Sequence, residues 1–273
     1  MLNFMCTTCG VQYNKSNYPP MYCTICSEER QYINPNGQTW TTLQLMKEKN
    51  FQNIIRFEEE NLFSIQTSPK FGIGQTAYLV KNKGFNLLWD CVSYIDEKTI
   101  EEIKRLGGLD AIALSHPHYY SSKIEWAEEF DVPVYIHEDD QEWVTRQSDK
   151  IIFWSGESLE LDNGVNIRRL GGHYKGGAVL EWQTGNEQKG VLLTGDIIQV
   201  VADPKWVSFM YSYPNLIPLP AKKVKEISEV VETLKFDRIY NAFHGIVKEN
   251  GKLVVHNSAN RYIEALEGTL FDT

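Results

Sequence analysis

No run of about 18 apolar residues occurs in the 273-residue chain, so nothing in it reads as a membrane-spanning helix. The opening MLNFMCTTCG has neither the basic stretch nor the apolar core of a secretory signal. Basic residues are outnumbered, 27 against 36 acidic, and a net charge of -9 repels phosphate backbones, which argues against a nucleic-acid partner. Internal repeats are absent, and residues 1–38 hold too few aliphatic side chains for an apolar core of their own. These gaps leave a cytoplasmic, folded protein in two unequal parts. Its larger part draws on 42% hydrophobic and 12% aromatic residues for a sizeable core.

Cysteine is scarce and unevenly placed. Four of the five form two pairs, Cys6-Thr-Thr-Cys9 and Cys23-Thr-Ile-Cys26. In a reducing compartment this spacing suits thiolate metal binding better than disulfides. Each pair folds its two sulfurs toward a common point, so the four can surround one tetrahedral ion. Zinc is the expected ion for four thiolates, and iron is the alternative because Cys-Thr-Thr-Cys-Gly also resembles a rubredoxin knuckle. The expected role is structural, since a closed four-thiolate site has no open coordination position. Replacing Cys23 with Ser is expected to release the ion and loosen residues 1–38 while sparing the rest. Cys91 stands alone after an apolar run and reads as a small buried residue.

Beyond the cysteines, strand-like segments bounded by Gly, Asn or Pro run over Asn53 to Phe57, Leu62 to Thr67, Thr76 to Val80 and Phe85 to Asp90, which predicts a β meander. Asp96 or Thr99 caps a predicted helix carrying Ile100, Ile103 and Leu106, closed by Gly107-Gly108 and followed by the strand Asp110 to Ser115. Ser122 to Phe130 reads as a helix, Val132 to Ile136 as a strand, and Asp139 to Arg146 as a helix. Strands dominate from about residue 151 to 200. Asp203 to Pro220 has no clear period and reads as a binding loop or a packed excursion, with Trp206, Phe209, Tyr211 and Tyr213 offering an aromatic wall. Val224, Ile227, Val231 and Leu234 mark an amphipathic helix, Arg238 to Ala242 a strand, and Ser258 to Leu266 a last helix stopped by Gly268.

Chemistry gathers at the predicted strand ends. Ser115-His116-Pro117-His118-Tyr119-Tyr120-Ser121 follows a buried strand, where a sharp turn aims both imidazoles at one ion. His173 lies in RRLGGHYKGG after a strand, Asp196 ends LLTGD, and His244 ends IYNAFHG. His137 and His256 fall outside these motifs and read as structural or exposed.

In this order, with Asp90 after Leu-Leu-Trp, the motifs over roughly residues 50 to 260 resemble the metallo-β-lactamase fold superfamily. The resemblance implies an α/β fold, a four-layer αββα sandwich over residues 39–273 behind a zinc-ribbon-like four-cysteine module at 1–38. It implies metal ligands at His116, His118, His173, Asp196 and His244, with Asp90 structural. Where the family's HxHxDH motif continues with Asp and His, this chain has Tyr120 and Ser121, so the expectation is one firmly bound ion at this site rather than two. Zinc held by three imidazoles leaves a position for water, whose pKa falls from about 16 toward about 7. The implied activity is hydrolysis of a small ester, thioester, lactone or phosphodiester. Asp196 orients the water, and Tyr120 either donates a proton or packs against the sheet edge. The alternatives are a mononuclear-iron oxidoreductase like the persulfide dioxygenases, using His116, His173 and Asp196, and a non-catalytic metal-binding protein.

Overall fold

A two-residue ribbon opens the fold, pairing β1 (Met5–Cys6) with β2 (Trp40–Thr41). The structure is a computed structural model that describes residues 1–272 and divides into two compact units, with the boundary after Trp154. In the first unit, α1 (Leu43–Glu48) starts where the Thr42 hydroxyl accepts the Leu45 N–H at 3.2 Å. Strands β3 (Gln52–Glu59), β4 (Leu62–Ser68), β5 (Ala77–Asn82) and β6 (Phe85–Trp89) then run as the expected antiparallel meander. Between β5 and β6 the chain reverses through Lys83 and Gly84 at φ 46° and 100°, and that left-handed backbone matches the strand twist.

Helix α2 (Glu97–Arg105) begins at Asp96, whose carboxylate accepts the Thr99 N–H at 2.8 Å and the Asn53 N–H of β3 at 2.9 Å. One side chain thus caps the helix and ties it to the sheet. Strand β7 (Ala111–Ala113), α3 (Lys123–Phe130), β8 (Val134–His137) and β9 (Ile151–Trp154) complete the unit, with β6 to β9 parallel in a seven-stranded sheet. Such parallel strands leave their carboxyl ends together at one edge.

The second unit holds β10 (Ser158–Asp162), β11 (Val165–Arg169), β12 (Ala178–Trp182), β13 (Val191–Leu193), β14 (Gln199–Val200), β15 (Val207–Ser208), β16 (Met210–Ser212), β17 (Ile217–Pro218), α4 (Ala221–Glu232), β18 (Arg238–Tyr240), β19 (Ile246–Val247) and α5 (Gly251–Glu267). Its main sheet has six strands in the order β10-β11-β12-β13-β18-β19, and β13 and β18 are its parallel neighbours. Helix α4 buries Val224, Ile227 and Val231, the stripe the sequence marks. Both units are α/β, the class expected.

Three segments differ from the sequence reading. Asp139 to Arg146 forms a 3₁₀ segment over Glu138–Trp143 and stops there. Thr145 and Arg146 instead bond to Gln12, through the Thr145 hydroxyl on the Gln12 carbonyl at 2.7 Å and the Arg146 guanidinium on the Gln12 side-chain oxygen. The last helix starts at Gly251, where Asp237 accepts the Asn250 N–H on its carboxylate at 2.8 Å and the Gly251 N–H on its carbonyl at 2.7 Å. His256 therefore lies within α5, bonded to Asn260 at 3.0 Å. Within Asp203 to Pro220, Met210–Ser212 pairs with Ile217–Pro218, and Phe209 is buried in the second unit's core edge-on to Tyr262. Phe209 is a core residue and no part of an aromatic wall.

Cys6, Cys9, Val11, Cys23 and Ile25 belong to the same buried cluster as Ile65, Leu79, Leu88 and Trp126. The cysteine segment therefore borrows its core from the first sheet. A Cys23→Ser change is now expected to loosen that sheet as well, in place of sparing it.

Lys123 of α3 is wholly buried over the Tyr120 ring at 4.8 Å, and burial pushes its amine down to about 7. The unfolded chain keeps that proton to about pH 10.4, so between pH 7 and the lysine's ordinary value it binds more protons than the folded one and stability rises with pH. Above about pH 9 the Cys91 thiol, held up by burial, pulls the other way. Lys123→Met is expected to raise stability at pH 7 and to flatten the rise up to about pH 9, a slope of up to about 1.4 kcal/mol per pH unit in the parent. Denaturant titrations across that window check it; an unchanged slope in the variant refutes it.

Candidate metal centres

The four cysteines of the N-terminal segment converge, with sulfurs all within 4.8 Å of one another. Cys6 to Cys26 and Cys9 to Cys23 are each 3.6 Å apart. A sulfur–sulfur edge of about 3.8 Å follows from tetrahedral bonds of about 2.3 Å to zinc, so the donor set fits one ion. All four are free thiols. The Cys6 sulfur also accepts the Thr8 N–H at 3.4 Å and the Gln38 amide at 3.3 Å, and the Tyr13 hydroxyl reaches the Cys23 sulfur at 3.4 Å. Donors aimed at sulfur stabilise thiolate, the form that binds metal.

In the first unit, Asp90 follows β6 and His116 follows β7, at the carboxyl ends of neighbouring parallel strands. Asp90 sits at φ 60° and accepts the Ser115 N–H at 2.8 Å and the Ser115 hydroxyl at 2.9 Å. That hydroxyl lies 2.9 Å from His116 Nδ1. Having given its single proton to Asp90, Ser115 Oγ accepts from Nδ1–H, and His116 is left with its Nε2 lone pair for a metal. Pro117–Tyr119 is a 3₁₀ turn that sets the His116 and His118 rings 5.0 Å apart between centroids, with Tyr119 edge-on to His116 at 4.5 Å.

Tyr120 is buried in the first unit's core, its hydroxyl 3.4 Å from the Asp140 carbonyl and its ring under Lys123. Ser121 Oγ accepts from Gln75 at 2.8 Å and donates to the Cys91 carbonyl at 3.1 Å. His137 is buried, accepts the Asp139 N–H at 3.1 Å and packs edge-on to Trp154 at 4.5 Å, a structural role.

In the second unit, His173 lies between β11 and β12, beside Gly172 at φ 87°, where a Cβ would meet Leu219 at 2.8 Å. Its Nδ1 lies 2.8 Å from the Tyr211 carbonyl and 3.2 Å from that of Met210. A carbonyl only accepts, so Nδ1 carries the proton and Nε2 offers the lone pair. That Nε2 faces Asp196 Oδ1 at 3.7 Å, too far for a hydrogen bond, and both groups are buried. Two electron-rich atoms so placed fit a cation between them. Asp196 follows β13, and the Tyr213 hydroxyl donates to its backbone carbonyl at 2.7 Å. His244 follows the parallel neighbour β18 in left-handed backbone at φ 58°, half-buried, and the Ala242 N–H bonds the Gly195 carbonyl at 2.7 Å to join the two strand-end loops.

Sequence reasoning missed the supports. Ser115 was visible as the last residue of an apolar strand beside His116, and nothing local marked the carbonyls of Met210 and Tyr211 as partners of His173.

Comparison with known proteins agrees with this geometry. The model of the metallo-beta-lactamase superfamily matches residues 72–244, and the chain belongs to that superfamily. The "Uncharacterized protein YmaE" of Bacillus subtilis (strain 168) is 63% identical over 271 residues, covering 99% of each chain. Among solved structures, the DIM-1 metallo-beta-lactamase matches with TM-score 0.60 at 15% identity, over 79% of this chain and 98% of its own. The FIM-1 enzyme from Pseudomonas aeruginosa, in its mono-zinc form, matches with TM-score 0.55 at 14% identity, over 77% and 96%. At such identities the structures share the fold alone.

The Asp90–Ser115–His116 chain generates a test. Asp90→Asn keeps the shape but weakens acceptance from Ser115, and is expected to lower metal affinity of the histidine donors about 10- to 100-fold while leaving the cysteine ion in place. Chelator competition on the two variants Asp90→Asn and Ser115→Ala reads this; unchanged affinity contradicts it.

Proposed function

We propose that His116, His118 and His173 hold one zinc ion with the Asp196 carboxylate beside it, leaving a coordination position for water, and that the protein is a metal-dependent hydrolase of a small ester, thioester, lactone or phosphodiester. The observation that carries the reading is the committed Nδ1 of His116 and of His173, which turns the lone pair of each Nε2 toward a metal. Zinc, when bound there, supplies a Lewis acid that activates water at neutral pH. His244, expected as a ligand, is outside the group of converging donors His116, His118, His173 and Asp196, and with Tyr120 and Ser121 engaged elsewhere a second ion lacks ligands. Membership of the superfamily supports hydrolysis as the reaction class.

Within this scheme Asp196 accepts a hydrogen bond from the attacking water and orients it, and Tyr213 holds the Asp196 backbone in place. Tyr120 takes the packing role of the two considered for it. The Tyr213 ring lies beside His173, 5.7 Å between centroids, and favours a partly apolar small molecule. Three imidazoles with one carboxylate exceed the two-histidine, one-carboxylate set that iron oxygenases use, which favours zinc and hydrolysis over the persulfide-dioxygenase-like alternative.

The zinc-loaded protein is expected to turn over at least one member of a thioester, lactone and phosphodiester panel, with kcat/KM falling on the order of 10³-fold in Asp196→Asn and His116→Ala. A fully loaded protein silent on the whole panel would overturn the hydrolase reading in favour of a binding role.

A further inference from the structure

Ser121 joins two parts of the first unit that sequence alone keeps apart. It lies three residues after His118, buried, at φ 39°, in backbone that a non-glycine residue adopts only when its surroundings hold it there. Its hydroxyl accepts from Gln75 at 2.8 Å and donates to the Cys91 carbonyl at 3.1 Å. Its carbonyl accepts the Gln12 N–H at 3.0 Å. Gln12 in turn lies three residues after Cys9, in the chain leaving the first cysteine knuckle.

That knuckle is defined by the Gly10 N–H on the Cys6 carbonyl at 2.8 Å and the Cys6 N–H on the Val11 carbonyl at 3.0 Å. Gly10, at φ 82°, lies so close to Ser93 that a Cβ would fall 2.0 Å from the serine hydroxyl, and Ser93 Oγ is 3.4 Å from Ser121 Oγ. Gln12 is held rigidly on its other sides: Nε2 donates to Glu125 at 3.1 Å, Oε1 accepts from Arg146, and the carbonyl accepts from Thr145. The Ser121 hydroxyl and carbonyl and the Gln12 side chain are thus all hydrogen-bonded, and a buried network of this kind does not yield gradually.

We propose that Ser121 and Gln12 are positioning residues that couple the cysteine site to the histidine turn, so that an ion on Cys6, Cys9, Cys23 and Cys26 holds the Gly10–Gln12 segment against Ser121 and keeps His116 and His118 in metal-binding register. Losing the cysteine ion frees the first knuckle and removes the N–H that fixes the Ser121 carbonyl. The turn from His116 to Ser121 then samples other arrangements, and histidine-site affinity falls. By linkage the effect is reciprocal: an ion on the histidines tightens the cysteine site by the same factor. The inference rests on the proposed metal role of His116 and His118.

The test uses the full chain and cobalt(II), whose thiolate charge-transfer absorption reports the cysteine site apart from the histidines. Chelator titrations on the parent, Cys9→Ser, His118→Ala and Ser121→Ala follow each ion. The expected result is a loss of about 10-fold or more in histidine-site affinity in Cys9→Ser, and an equal loss in cysteine-site affinity in His118→Ala. Ser121→Ala keeps the carbonyl that accepts the Gln12 N–H but removes the hydroxyl that Gln75, Ser93 and the Cys91 carbonyl hold, so it is expected to reduce that mutual dependence several-fold while both sites still bind; an undiminished dependence overturns the positioning role of Ser121. Equal affinities whether or not the other site is filled overturn the coupling. If Cys9→Ser fails to fold, the His118→Ala arm still decides. A parent that binds no ion at the histidines defeats the proposed function instead. Amide exchange then tests the coupling alone: Gln12 N–H is expected to exchange faster once the cysteine ion is withdrawn, and unchanged protection overturns it.

Discussion

A buried imidazole offers a metal only one of its two nitrogens, and what grips the other decides which. His116 and His173 both meet this constraint by spending Nδ1 on the protein, one on a serine relayed to Asp90 and one on a tyrosine carbonyl. The grips come from different parts of the fold, yet they give the same result. Each needs a backbone that places side chain and partner to within a few tenths of an ångström, which a loop alone does not supply. For His116 the parallel pair β6–β7 supplies it by ending neighbouring strands side by side, and for His173 the partner carbonyls belong to β16.

The cysteine segment answers a different problem. A few dozen residues poor in aliphatic side chains do not repay the entropy of ordering, so a metal and a neighbour's core are needed. The buried cluster running from Cys6 and Ile25 through Leu88 to Trp126 gives that neighbour's core. The arrangement also puts Gln12 and Ser121 in contact, so the segment reaches the backbone next to the histidines.

Much of this is legible in the sequence wherever the signal is local. The cysteine pairs, the antiparallel meander, the Asp96 cap and the α4 stripe are set by spacing within a few residues, and the structure has each of them. The failures share a cause. Asp139 to Arg146 has a helical pattern, but Thr145 bonds to a carbonyl 133 positions earlier in the chain, and that contact has no local trace. The early start of α5 depends on Asp237, and the tautomer of His173 on Tyr211, 38 positions away. Phe209 looked like a binding-site aromatic because burial is not visible in an irregular segment. For the candidate site, the residue types and their order along the chain were readable, while the second-rank partners that orient them were not.

The most direct measurement is an element-specific metal count on the purified chain beside its His116→Ala and Cys6→Ser variants. The account predicts an ion whose retention depends on His116 and another whose retention depends on Cys6. A parent chain saturated with transition metal that holds nothing dependent on His116 would contradict it.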